Sequence, residues 1–145
     1  MPTLTVNKRA LFDYEIFEKF EAGIILTGHE TKSAKSGHID IAGARANVSN
    51  NKALIVGINI PSFQPKNAPQ DYDPLRTKKL ILRKKEIDYL TGKINSGLTL
   101  IPISVYTKRS FVKLELGLGR SRKKSDKREL IKKREIEREI KKFKK

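Results

Sequence analysis

Fourteen of the last 26 residues are Lys or Arg. Residues 120–145 set only five acids against them, for a net charge of +9, and hold just five large apolar residues, Leu130, Ile131, Ile136, Ile140 and Phe143. Fixing one residue's backbone costs roughly 1–2 kcal/mol in entropy. So little apolar surface cannot offset that cost while the cations repel one another. This basic C-terminal tail is therefore expected to be disordered when free and to order only against a polyanion. Folding is left to residues 1–119, which carry a net charge of +7 and suffice for one small domain with a modest core.

The whole chain has 32 Lys and Arg against 16 acids, a net charge of +16 and a pI near 10.1. Such a balance selects a polyanionic partner, nucleic acid before an anionic membrane. With no cysteine, a disulfide framework, a thiolate zinc site and a cysteine nucleophile are all excluded. Two histidines, His29 and His38, are too few for a histidine-rich metal centre. No apolar run approaches the roughly 18 residues of a membrane helix, and Met1–Thr5 lacks the pattern of a secretory signal. A soluble cytoplasmic protein with no membrane partner is expected.

The first 119 residues read mainly as strands. Glu21–Thr27 is an apolar run closed by Gly28; His38–Ile41 alternates and continues through Ala42–Val48 with a bulge at Gly43. Turn chemistry at Ser49–Asn51 leads into Ala53–Ile60, and Pro61, Pro65, Pro69 and Pro74 then mark a loop. Leu98–Tyr106 and Phe111–Leu118 alternate around the basic turn Thr107–Ser110 and predict a hairpin, with Pro102 at an edge or a bulge. Asp73 as N-cap and Pro74 at the first helical position predict a helix through Leu75, Leu82 and Tyr89, which Asp88–Ile94 continues or restarts after a break, ended by Gly92 and Gly97. A short helix is expected over Thr31–Ser36, stopped by Gly37. The pattern points to a mainly β fold with short helices, an antiparallel barrel like those that bind oligonucleotides.

Little in this sequence suggests catalysis. His29 and Glu30 are adjacent, but neighbours on a strand face opposite ways and no second histidine completes a pair. Asp71, Asp73 and Asp88 are ordinary turn and cap aspartates before they are magnesium ligands, and no Walker A loop, dinucleotide fingerprint or nucleophile elbow is present. No enzyme activity, metal or cofactor is expected. Cations instead recur in separate segments: Lys8-Arg9, Lys32 and Lys35, Arg76-Thr77-Lys78-Lys79, Arg83-Lys84-Lys85 and Lys108-Arg109. A small barrel would gather some of them onto one surface.

Five ordered blocks carry a family resemblance. Asn7-Lys8-Arg9-Ala10, Asp13-Tyr14 and Phe20-Glu21-Ala22-Gly23-Ile24 resemble the opening of the tmRNA-binding small protein B (SmpB) family. Gly28-His29-Glu30-Thr31-Lys32-Ser33 is similar to that family's G-x-E-V-K-S. Asp73-Pro74-Leu75-Arg76-Thr77-Lys78-Lys79-Leu80-Ile81-Leu82 is similar to D-P-x-R-x-R-K-L-L-L. Gly97–Pro102 and Ser125-Asp126-Lys127-Arg128 complete the match.

The resemblance implies an RNA-binding adaptor of trans-translation, not an enzyme. It would bind the tRNA-like domain of tmRNA and deliver it to stalled ribosomes, acting as a monomer. Its tail would become helical against small-subunit rRNA, in the decoding site and the vacant mRNA channel. Carried over by position, Glu21, Glu30, Lys32, Arg76, Lys78, Lys79, Ile81 and Arg83 are expected at the RNA. Arg83 stands where the family has His or Asn. Arg122, Lys123, Asp126, Lys127 and Arg128, followed by Ile136, Ile140 and Phe143, are expected to meet the ribosome. Ser121-Arg122-Lys123 departs from the family's G-K-K, Ser125 from its Tyr or His, and Ser33-Ala34-Lys35 from its S-L-R. The alternative reading is a basic ribosomal or general structural RNA-binding protein.

Overall fold

A computed structural model describes residues 3–62 and 72–143; the loop positions Pro65, Pro69 and Asp71 lie outside the described residues. The strands are β1 (Thr3–Val6), β2 (Tyr14–Ile24), β3 (Arg45–Ser49), β4 (Lys52–Val56), β5 (Lys78–Ile81), β6 (Thr99–Lys108) and β7 (Phe111–Ser121). The helices are α1 (Lys8–Asp13), α2 (Gly28–Lys35), α3 (Lys84–Asn95) and α4 (Lys124–Phe143).

All pairings are antiparallel, in the order β1-β6-β3-β4-β5-β2-β7. Because β7 also pairs with β6, the sheet returns on itself as a small barrel, with β1 added along β6. The expected mainly β fold is therefore the one observed. Two hairpins hold it in register. Asn50 and Asn51, at φ 50° and 63°, turn β3 into β4; Arg109 and Ser110, at φ 51° and 69°, turn β6 into β7. Positive φ at both central residues is the twist-matched two-residue turn, which asparagine tolerates best. Pro102 lies at a bulge, where the β6–β7 register shifts between Pro102 and Ser104.

Alternation supplies the core. Ala46 and Val48, Ala53 and Ile55, and Leu114, Leu116 and Leu118 point inward from successive strands. Leu90 of α3 is fully buried among them. At Gly119 a Cβ atom would lie 2.0 Å from the Glu15 carbonyl oxygen, so only glycine lets β7 approach β2 there.

Three expectations are corrected. No helix starts at Asp73-Pro74. The Asp73 side chain accepts from the Leu75 amide at 2.9 Å and its carbonyl from the Arg76 amide at 3.2 Å, closing a turn that feeds β5. The cap signal was an aspartate turn, and the helical spacing of Leu75 and Leu82 spans a strand. Gly43 belongs to a turn and not a bulge: the Ala44 amide reaches back to Ile41, and β3 begins only at Arg45. β7 also continues past Gly119 to Ser121, with the Arg122 amide donating to the Asp13 carbonyl at 2.8 Å.

Candidate nucleic-acid interface

Residues paired directly across strands share a face of the sheet. Ile81 of β5 faces Gly23 of β2, Gly23 faces Lys113 of β7, Lys113 faces Tyr106 of β6, and Tyr106 faces Thr3 of β1. One step along, Glu21 faces Glu115 and Glu115 faces Ser104. The register thus assembles one outer surface from five strands. It brings Glu21 and Ile81, 60 positions apart in the chain, within about two strand spacings, roughly 10 Å. Lys79 lies on the same outward side of β5 as Ile81.

Glu21 is the polar centre of this face. Its Oε2 accepts from the Tyr106 hydroxyl at 2.5 Å and its Oε1 from the Lys108 ammonium at 3.3 Å. Tyr106 stands diagonally across β7 from Glu21, and only a long side chain spans that gap. The Tyr106 hydrogen bond, with the Lys108 and Lys113 charges, holds the Glu21 carboxyl below its ordinary pKa, against the opposing effect of partial desolvation. Burial and the Glu21 hydrogen bond push the Tyr106 phenol well up. Near neutral pH the pair is a carboxylate and a neutral phenol. Oε2 also takes the Lys108 ammonium at 3.5 Å, so it is Oε1 that keeps a lone pair for a further donor, and Glu21, Tyr106, Ser104 and Glu115 line the open recess around it.

Ile81 is 60 % exposed at the β5 end of this polar surface. Gly23 lies beneath it, where an added Cβ would come within 3.2 Å of the Ile81 Cβ. Gly23→Ala is expected to displace Ile81 and cost about 1–3 kcal/mol through overpacking, read as a lower urea midpoint.

Two residues expected at the RNA are not at the surface. Lys78 is 0 % and Glu30 1 % exposed. Glu30 closes a capping box on α2: Thr27 Oγ1 accepts from the Glu30 amide at 3.2 Å, and Glu30 Oε1 accepts from the Thr27 amide at 2.9 Å. Its carboxylate also receives Arg76 in a fork, Nη2 at 2.7 Å and Nε at 3.2 Å, and faces the Lys78 ammonium at 3.9 Å. Lys78 donates to the carbonyls of Arg76 at 2.7 Å and Ile58 at 3.4 Å. Burial alone would raise the Glu30 pKa, but the Arg76 fork, the Thr27 amide and the Lys78 charge together lower it. Burial lowers the Lys78 pKa, and Glu30 only partly opposes that. This network ties α2 to β5, so Glu30 and Lys78 act on the surface only through the fold. Ser33 likewise donates to the Pro61 carbonyl from a buried position.

The remaining positions are placed as follows. Lys32 is exposed on α2, and Arg83 is exposed at the start of α3, its amide donating to Glu86 at 3.1 Å. Arg76 is half-exposed, with its Nε and Nη2 on Glu30. The tail enters as α4, begun by Asp126, whose Oδ2 accepts from the Lys123 amide at 3.2 Å. Lys127 pairs with Asp13 at 3.2 Å, while Arg128 and Ile136 are exposed. The side chains of Ile140 and Phe143 lie outside the described residues. Inspection of the sequence passes over Lys113 and takes Tyr106 for a core aromatic before a contact residue; the signal is cross-strand register, visible only once the β6–β7 hairpin is paired with β2.

A hydrogen-bonding sheet face rimmed by lysines, continued by a cationic helix, defines a basic β-barrel protein suited to a polyanion. The chain belongs to the SmpB family: the model described as "SmpB protein" matches residues 4–145. It is 45 % identical over 138 residues to an SsrA-binding protein of Gloeobacter violaceus, covering 94 % of this chain and 90 % of that one. It is 44 % identical over 143 residues to the SsrA-binding protein of Mesoplasma florum, covering 97 % and 96 %. A solved structure described as "tmRNA-SmpB: a journey to the center of the bacterial ribosome" superposes with a TM-score of 0.69 at 38 % identity, over 86 % of this chain and 87 % of that one. Among the described residues no helix is long and apolar enough to cross a membrane.

Proposed function

We propose that this chain is an RNA-binding adaptor of trans-translation. As a monomer in the cytoplasm, it binds the tRNA-like domain of tmRNA through the outer face around Glu21 and Ile81 and carries that RNA to stalled ribosomes. There the basic helix lies against small-subunit rRNA, in the decoding site and the empty mRNA channel. The role is binding, with no chemical step assigned to the chain. Relatives named SsrA-binding protein at 44–45 % identity, over nearly the whole chain, support the reading. The observation that carries it is the Glu21 carboxylate, pre-oriented by Tyr106 and Lys108, with Glu115 beside it, on the outer face of a strongly basic chain. A general phosphate binder has no use for an acid there, whereas a reader of base edges and 2′-hydroxyls does. Lys79, on the outward side of β5 with Ile81, and the exposed Lys32 and Arg83 supply phosphate contacts.

Glu21→Gln tests this, because charge alone predicts the wrong sign. Removing an acid should slightly strengthen non-specific binding to a polyanion. If Glu21 accepts from RNA donors, the variant loses about 1–3 kcal/mol of affinity for tRNA-like RNA, the size of one good specific contact. Gel-shift competition against duplex RNA of equal length, at two salt concentrations, reads the difference. Unchanged affinity for tRNA-like RNA in the folded variant would mean that Glu21 only pairs with its neighbouring lysine, and a parent with no preference over duplex RNA would favour the general structural RNA-binding alternative.

A further inference from the structure

Asp13, at the junction of α1 and β2, is where the tail meets the barrel. Its backbone carbonyl accepts from the Arg122 amide at 2.8 Å. Its Oδ2 holds Arg9 Nε at 3.1 Å and its Oδ1 holds Lys127 Nζ at 3.2 Å. The Phe12 ring beside it is approached by three cations, Arg134 at 5.7 Å, Arg9 at 5.9 Å and Lys127 at 6.0 Å from its centroid. Lys127 and Arg134, at i and i+7, bring one side of α4 to this corner, while Ile131 between them stays 44 % exposed. Ile136 is nine positions beyond Lys127, roughly 180° around the helix, and is exposed. Arg128, one position on from Lys127, is exposed as well. Three consecutive residues thus stand in three environments. Asp126 caps the helix, Lys127 is neutralised by a carboxylate of its own body, and Arg128 is open to solvent.

We propose that Lys127 is a positioning residue that fixes the direction of α4 by docking on Asp13 and Phe12, and that Arg128 supplies the phosphate contact at this point of the tail. The inference rests on the adaptor reading and adds a division of labour to it. An ammonium held at 3.2 Å by Asp13 has its charge spent on the body, and phosphate can claim it only by giving up the dock. The docked stripe leaves the opposite side of the helix, with Ile136, free to meet the ribosome.

The test uses the full chain and small ribosomal subunits. Each tail cation that neutralises a phosphate adds roughly 0.7–0.9 to the slope of log affinity against log salt. Arg128→Gln is therefore expected to lower that slope by about one contact's worth, and Lys127→Gln to leave it unchanged. Because the chain has no cysteine, two can be introduced at Lys52 and Arg138 for spin-label distance measurement. Asp13→Asn and Lys127→Gln should each broaden the distance distribution and slow rescue of stalled ribosomes by about two- to fivefold, the worth of a partly exposed pair. Together they should do no more than either alone, and Asp13→Glu should restore the parent behaviour. Loss of one salt-slope unit in Lys127→Gln, with Asp13→Asn silent, would overturn the proposal. Lys127 lies on a surface helix, so its variant decides the matter even if Asp13 variants fold poorly. A parent protein without preference for tRNA-like RNA would instead overturn the adaptor reading itself.

Discussion

Ending the chain after Lys123 is expected to leave selective binding of tRNA-like RNA in place and to abolish resumption of translation on stalled ribosomes. The outer face proposed for recognition around Glu21 and Ile81 is built from β1, β2, β5, β6 and β7. A cut after Lys123 keeps all of β7 and the Arg122–Asp13 link, whereas one at Gly119 would clip the strand. The removed segment, 124–145, carries a net charge of +6, so affinity and salt dependence fall while preference stays. α4 is helical in the structure, but its named anchors, Lys127 and Arg134, reach no further than its midpoint. The sequence places Lys132 and Lys133 between them and Lys141 and Lys142 beyond, cations that repel one another, and the stretch after Arg134 is shorter than an isolated helix needs in water. Good helix formers and the Glu137–Lys141 pair at i,i+4, worth a few tenths of a kcal/mol, leave it poised. Circular dichroism should show helix rising when small-subunit rRNA is added. A truncated chain that no longer prefers tRNA-like RNA, or still restarts translation, would contradict this division.

The parts legible in the sequence are those whose signal is local. The β6–β7 hairpin shows as two alternating runs around a basic turn, and α2 shows as a short polar run closed by Gly37. The family blocks mark Glu21 and Ile81, although only register explains why they meet. Misreadings arise where a local signal has two structural uses. Asp73-Pro74 serves a helix cap and an aspartate turn equally well; the buried, alternating Lys78 and Leu80 decide for the turn. Lys78 itself reads as a surface cation, because its partner Glu30 is 48 positions away and nothing near it in the chain announces burial. A longer separation, 85 positions, hides Tyr106 from Glu21. Long-range pairing, not propensity, is what the residue pattern leaves out.

Glu30 supplies the sharpest separation between folding and recognition. Its carboxylate is 1 % exposed and faces two cations, one of them the fully buried Lys78. Removing one member of a buried ion pair leaves the other charge uncompensated and costs about 3–5 kcal/mol. Against a total of about 5–15 kcal/mol for a domain, Glu30→Ala should unfold at a much lower urea concentration, and bind RNA poorly only because it is poorly folded. Glu30→Gln should cost less, since the amide oxygen can still accept from Thr27 or Arg76. Adding Lys78→Met should recover part of the loss, because a buried pair replaced by apolar groups is often neutral or stabilising. The pH dependence has a definite sign. The Glu30 carboxyl is held below its unfolded value, so its contribution is present above the ordinary carboxylate range and is lost as pH falls through the lowered pKa. Lys78, also lowered, acts at the other end: the cost of keeping it charged is relieved as pH rises through its own depressed value. Urea midpoints followed from neutral pH into acid should therefore fall more steeply for the parent than for Glu30→Gln/Lys78→Met. Were Glu30 an RNA contact instead, Glu30→Gln would keep its urea midpoint and lose selectivity, the pattern reserved here for Glu21.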